Sequence, residues 1–147
     1  MWVRIPSSSL INFREKEKDT MARYIFNLPD MTEQTFSRCA MLCHNTIEAI
    51  GSEISGWDGT GSPVFSSKEI SFNGTLPLNG DTFSIRRDGN VRSVIDTHDH
   101  PYDLAVRCCL VIFDRACDSM HLGSDVDNET MAWEQAKALV NAGAIEI

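Results

Sequence analysis

The segment Leu104–Cys117, LAVRCCLVIFDRAC, is apolar almost all round and is broken by Arg107, Asp114 and Arg115. At helical spacing no complete face of it can be given to water, so a helix here has to be the central one, covered by other elements on every side. A chain of 147 residues can wrap one such core and hardly two. The segment is shorter than the roughly 20 apolar residues a membrane-spanning helix needs, and no other run approaches that length. No charged, apolar and small-residue series of a secretory signal opens the sequence.

The signals on either side of this helix place its neighbours. Pro101 suits a first helical position because its missing N–H has no intrahelical partner there, and Asp103 suits the positive end of the helix dipole. Upstream, Asp30-Met-Thr-Glu33 resembles a capping box, with Thr32 as an alternative cap. Phe36, Cys39, Ala40, Cys43, Ile47 and Ile50 follow at helical spacing and Gly51 closes the run, which predicts an N-terminal helix over 32–50. The Gly-, Ser- and Asp-rich stretch GSEISGWDGTGSPVFSS reads as a long loop, with Trp57 expected to pin it onto the domain.

Lys68–Gly74 reads as a strand with Ile70 and Phe72 on one face. DTFSIRR and NVRSVID flank Asp88-Gly89, which predicts a two-residue type I′ hairpin with Phe83 and Ile85 facing the core. The second hairpin strand is expected over Val91–Asp96. After the central helix, Met120-His-Leu122 reads as a short strand and Ser124–Asn128 as a loop, with Asp127 or Asn128 capping a last helix that ends at Gly143. Ala132, Ala136, Leu139 and Val140 form the inner stripe of that helix. The expected class is α+β: a small antiparallel sheet of three or four strands packed by two C-terminal helices, plus the N-terminal helix, in a single domain over 21–147.

Residues 1–20, MWVRIPSSSLINFREKEKDT, lack periodicity, and Met21 opens a more protein-like segment. The near-universal T-arm stretch of transfer-RNA genes, GTTCGAATCC, reads in one frame as Val-Arg-Ile-Pro, the residues Val3 to Pro6. The expectation is a disordered tail translated from within a tRNA gene, with the true start at Met21. Phages and other mobile elements integrate at the 3′ ends of such genes, so this reading carries a phage or mobile-element setting with it.

The net charge of −8 argues against a general nucleic-acid binder, since phosphate neutralisation needs a basic face. The five cysteines, Cys39, Cys43, Cys108, Cys109 and Cys117, fall in helical segments in an odd number, which fits buried reduced thiols and a cytoplasmic location. Cys39-x3-Cys43-His44 could form half a metal site, yet the two thiols lie one turn apart on the apolar stripe.

The chemistry-bearing stretch is Asp96-Thr-His-Asp-His100. In a strand, His98 and His100 face the same way and could converge on one metal, with Asp96 beside them and His121 as a further ligand. The string VIDTHDHP is similar to the first-strand motif of metal-dependent amidohydrolases and overlaps the Thr-His-x-His pattern of metallo-β-lactamase-like hydrolases. Only 47 residues follow His100, too few for the amidohydrolase barrel. Tyr102-Asp103 also stands where the metallo-β-lactamase pattern has Asp-His. Asp125–Glu129 invites a calcium-loop reading, but Thr130 occupies the position that requires glycine. No phosphate-binding glycine loop, no Gly-x-Ser-x-Gly and no His-Glu-x-x-His is present, so no cofactor is expected.

Over residues 56–140 the ordered marks GWDGTGSPVFSSKEISFNG, DTFSIRR, THDHPYDLAVRCCLVIF, GSD and MAWEQAKAL resemble a group of small uncharacterised phage and bacterial proteins. The resemblance implies the α+β fold, a phage-like setting and a role in which His98 and His100 are incidental. The leading expectation is therefore a phage- or prophage-associated accessory protein acting by binding, with a protein partner or a small polar ligand and without membrane association. Its candidate ligand residues are Thr97, Tyr102, Asp103, Ser124 and Asp125, beside helix starts where backbone N–H groups can hold a polar ligand. The alternative is a small metal-dependent hydrolase using Asp96, His98 and His100.

Overall fold

The computed structural model describes residues 22–126 and 129–146. The N-terminal stretch read as a tail and the two candidate caps Asp127 and Asn128 lie outside the described residues. The chain is α+β, as expected, but its strands form two antiparallel sheets where one was predicted.

The first sheet is built around a strand that the sequence reading did not identify. Strand β1 (Ala22–Leu28) alternates strictly, with Ala22, Tyr24, Phe26 and Leu28 buried. Period-two alternation is the signature of a strand with one face in the core. Strands β6 (Asn90–Asp96) and β7 (His121–Val126) pair with β1 on either edge, both antiparallel to it, so they run parallel to each other. Helix α2 (Asp103–Ala116) is the crossover between them.

The second sheet centres on β4 (Glu69–Gly74), which pairs with β2 (Ile54–Ser55), β3 (Val64–Phe65) and β5 (Phe83–Arg86). The long loop thus contains two short strands. Asp88-Gly89 does turn the chain, but β5 and β6 part into different sheets and do not form the expected hairpin. The turn closes with the Gly89 N–H on the Arg86 carbonyl at 3.0 Å. Gly89 alone there has positive φ, 105°, whereas a type I′ turn needs two such residues. The Asn90 side chain replaces the missing ladder: its Oδ1 accepts from the Arg86 N–H at 2.9 Å and its Nδ2 donates to the Ser84 carbonyl at 3.2 Å.

Helix α1 (Glu33–Ile50) is capped by the alternative residue Thr32 and not by Asp30 of the expected box: the Thr32 hydroxyl accepts from the Thr35 N–H at 3.2 Å, and Gly51 closes the helix. It buries Phe36, Cys39, Ala40, Cys43 and Ile47, the predicted stripe, with Ile50 partly buried at its end. In α2 every residue from Ala105 to Phe113 is buried, Arg107 included. Helix α3 (Glu129–Glu146) runs past Gly143 and packs Ala136 and Val140 into the core, with Ala132 and Leu139 against its edge.

The three helices pack on one another. An aromatic series ties the two sheets together and reaches α1: Phe26 meets Phe83, Phe83 meets Phe72, Phe72 stacks on Phe65, and Phe65 meets His44 edge-on. Edge and tilted contacts of this kind add to the area the rings bury.

Candidate functional site

The end of β6 delivers Thr97 next to the first turn of α2, and the two elements meet at one carboxylate. Asp103 Oδ1 accepts from the Tyr24 hydroxyl at 2.6 Å and from the Thr97 hydroxyl at 2.5 Å. Its Oδ2 accepts from Arg107 Nε at 2.9 Å, one helical turn on. Arg107 also donates to the Ala132 carbonyl of α3. The carboxylate, the guanidinium and both hydroxyls are buried. Asp103 therefore joins β1, β6, α2 and α3 through one charge whose acceptor capacity is used by three donors. Burial, with the Asp103 charge beside it, pushes the Tyr24 phenol far above the ordinary tyrosine value.

Ser124 and Asp125 are in strand β7, not in the loop predicted for them, because β1 extends the pairing to Val126. Their side chains fall on opposite faces of the sheet. Ser124 lies opposite Tyr24 and accepts from Trp133 Nε1 at 3.1 Å, and Trp133 packs edge-on against the Tyr24 ring at 5.8 Å. Asp125 lies opposite Arg23, with an Arg23 guanidinium nitrogen 3.5 Å from its carboxylate. Asp96 faces Arg23 across the other edge of β1.

Tyr102 looks a third way. Its hydroxyl donates to the Asp81 carbonyl at 2.6 Å, and its ring lies against Gly74 and Gly80 so closely that a Cβ on Gly80 would sit 2.6 Å from the hydroxyl oxygen. Burial, then the nearby Asp81, Asp103 and Asp96 charges, raise its phenol above the ordinary value as well. The five candidate ligand residues thus divide among three places, each buried and each bonded within the chain.

The histidines sit differently from the strand expected for them. Strand β6 ends at Asp96, and His98 and Asp99 adopt positive φ values of 55° and 59° in a turn. The turn brings the two imidazoles together with ring centroids 5.9 Å apart, and His98 Nδ1 lies 3.6 Å from Asp96. His100 Nδ1 is occupied by the Asn79 carbonyl at 2.9 Å. His121 pairs with Asn27, four residues along β1 from Arg23 and on the edge opposite Asp96, so about 16 Å separates it from Asp96. Among the described residues no three His, Cys, Asp or Glu side chains are placed to hold a metal ion. The cysteines are free thiols, and four of them are buried, Cys39 and Cys43 on α1 and Cys108 and Cys109 on α2. Burial pushes Cys39 up to about 11 and Cys108 up to about 12, and Cys43 also rises well above its ordinary value.

The polar groups around Tyr102 have one common effect, which is to fix the loop between β4 and β5. Asn73 Oδ1 accepts from the Gly74 and Gly80 N–H groups, and its Nδ2 donates to the Gly80 carbonyl and the Thr82 hydroxyl. The Asp96 N–H donates to Asp81 Oδ2 at 2.9 Å, and the Asp81 N–H to the Asp96 carbonyl at 3.0 Å. The Trp57–Gly59 turn is fastened to this loop in three places: Leu76 N–H to the Gly59 carbonyl, Asn79 Nδ2 to the Asp58 carbonyl, and Asp58 N–H to the Thr82 hydroxyl.

The largest side chains these two anchored loops expose are apolar. Trp57 is 70% exposed, Leu76 53% and Leu78 49%. Contrary to the prediction, Trp57 does not pin the long loop; backbone pairing and the Asp58 bonds do that, and the indole stands in solvent. Sequence reasoning found Asn73-Gly74, Thr97, Pro101-Tyr102-Asp103 and the Trp133 segment MAWEQAKAL as marks but missed Tyr24 and Arg107. Arg107 carried a legible signal, a cation one turn after Asp103 on an otherwise apolar helix. No protein-family model, curated protein or solved structure matches the chain.

Proposed function

We propose that the chain is an accessory protein that acts by binding and not by catalysis, in a phage or prophage setting within the host cytoplasm. One observation carries the reading: the candidate ligand side chains Thr97, Tyr102, Asp103, Ser124 and Asp125 are buried and bonded within the chain, while the large side chains exposed on the best-anchored loops, Trp57, Leu76 and Leu78, are apolar. Buried carboxylates and hydroxyls whose bonds are complete specify a fold, and rigid exposed apolar groups bind partners. The phage setting is supported by the tRNA-like opening and by the ordered marks over 56–140.

The adjacency of His98, His100 and Asp96 favours the metal-dependent alternative enough to decide the experiment. Tag-free protein is dialysed against zinc and its metal content measured, beside a His98→Ala/His100→Ala variant. The binding reading expects less than stoichiometric zinc in both. One equivalent retained by the natural chain and lost from the variant overturns it in favour of the hydrolase.

A further inference from the structure

We infer that the Trp57, Leu76 and Leu78 platform is the docking surface for a protein partner that offers an apolar socket with a basic, arginine-bearing rim. The inference rests on the binding reading above and gives it a place and a partner chemistry. Three observations support it.

The first is rigidity. The two loops are bonded to each other three times and to Asn73, Asp96, His100 and Tyr102, so the backbone that carries the exposed indole and the two leucines is held in position. A preorganised surface loses little freedom on binding, and tryptophan is the residue type that most often anchors an interface.

The second is charge. Between Arg38 and Arg86 the chain carries Lys68 as its single lysine or arginine, against Glu48, Glu53, Asp58, Glu69 and Asp81. Asp58 and Asp81 are exposed at the two ends of the paired loops. An exposed indole with an exposed carboxylate next to it in the chain, Asp58, suits a guanidinium, which can stack on the ring and pair with the acid at once.

The third is area. The exposed parts of the three side chains amount to roughly 350 Å², within the size range of functional surface patches. A stable pairing of two copies needs about 800 Å² from each, and apposed platforms would bring acidic flanks together. A patch of this size works as an anchor inserted into a partner's socket.

The test uses the full chain and a display library of random 12-residue peptides as the probe. Enriched peptides are expected to combine arginine with large apolar residues. Their affinity should fall at least tenfold for Trp57→Ser and for Leu76→Ser, and fall again between 50 and 500 mM salt. Met131→Ser, an exposed site on α3, should leave it unchanged. Because Trp57 and Leu76 are exposed, both variants should keep the thermal midpoint of the parent. Peptides that bind Trp57→Ser as well as the parent overturn the platform and leave the binding reading standing. Failure to enrich any sequence overturns both. A dimer in sedimentation that Trp57→Ser dissolves overturns the partner in favour of a second copy.

Discussion

Replacing Asp103 by alanine tests whether the buried network holds the fold together. The carboxylate and the Arg107 guanidinium are each about nine-tenths buried, with side-chain exposures of 6% and 10%. Removing the acid leaves that guanidinium without its counter-charge, strips the buried Tyr24 hydroxyl of its acceptor and leaves the Thr97 hydroxyl only the Ala22 carbonyl at 3.3 Å. Breaking a buried ion pair from one side costs about 3–5 kcal/mol, and an orphaned buried hydroxyl about 1 kcal/mol. The hydroxyls can partly repair by bonding to each other, so we expect a loss of about 4 kcal/mol. Against a total of roughly 5–15 kcal/mol, that leaves a folded but fragile domain. In urea, with a slope near 2 kcal/mol per molar, the midpoint should drop by about 2 M.

The double variant Asp103→Ala/Arg107→Met removes the orphaned charge and should recover more than half of the loss, because an apolar replacement of a whole buried pair is often close to neutral. Equilibrium unfolding of the parent, the two single variants and the double variant closes a thermodynamic cycle. An Asp103→Ala variant within about 1 kcal/mol of the parent, or a coupling energy near zero, would refute the claim that Asp103 is the junction of β1, β6, α2 and α3.

The chain's two tyrosines, Tyr24 and Tyr102, are both buried with raised phenol values. Absorbance at 295 nm should stay flat through pH 10–11, where exposed tyrosine ionises, and then rise in one cooperative step as the chain unfolds. The sign follows from linkage: groups whose proton is held more tightly in the folded state stabilise it fully below about pH 10 and cease to do so as pH rises further. Gly74→Ala places a Cβ 2.8 Å from Tyr102 Cδ1 and against the Leu78 carbonyl, and should cost about 1–3 kcal/mol in chemical denaturation. Ellman's reagent at pH 8 should find at most Cys117 reactive in the native protein and all five thiols in guanidinium, since the other four are buried.

What the sequence determined by itself was local. The all-round apolar segment required a central helix, and α2 is buried from Ala105 to Phe113. Helix α1 followed from its stripe, with Thr32 and Gly51 at its ends, and Ile70, Phe72, Phe83 and Ile85 followed from alternation. These are readings of period and capping, which act over a few residues and are written in adjacent positions.

Only the tertiary structure decided how the strands were shared out. β1 was legible in Ala22, Tyr24, Phe26 and Leu28, but its place at the centre depends on partners about seventy and one hundred residues away. That pairing drew Ser124 and Asp125 out of their predicted loop and onto opposite faces of β7. It also separated β6 from β5, because the turn at Gly89 and the Asn90 side chain let the two strands leave for different sheets. Asp103 could be read as a helix-start acid. That it would accept from Tyr24, Thr97 and Arg107 at once required the sheet and two helices to close around it. Trp57 shows the same limit in the other direction: burial depends on what the folded chain places over a residue, and among the described residues little covers that indole.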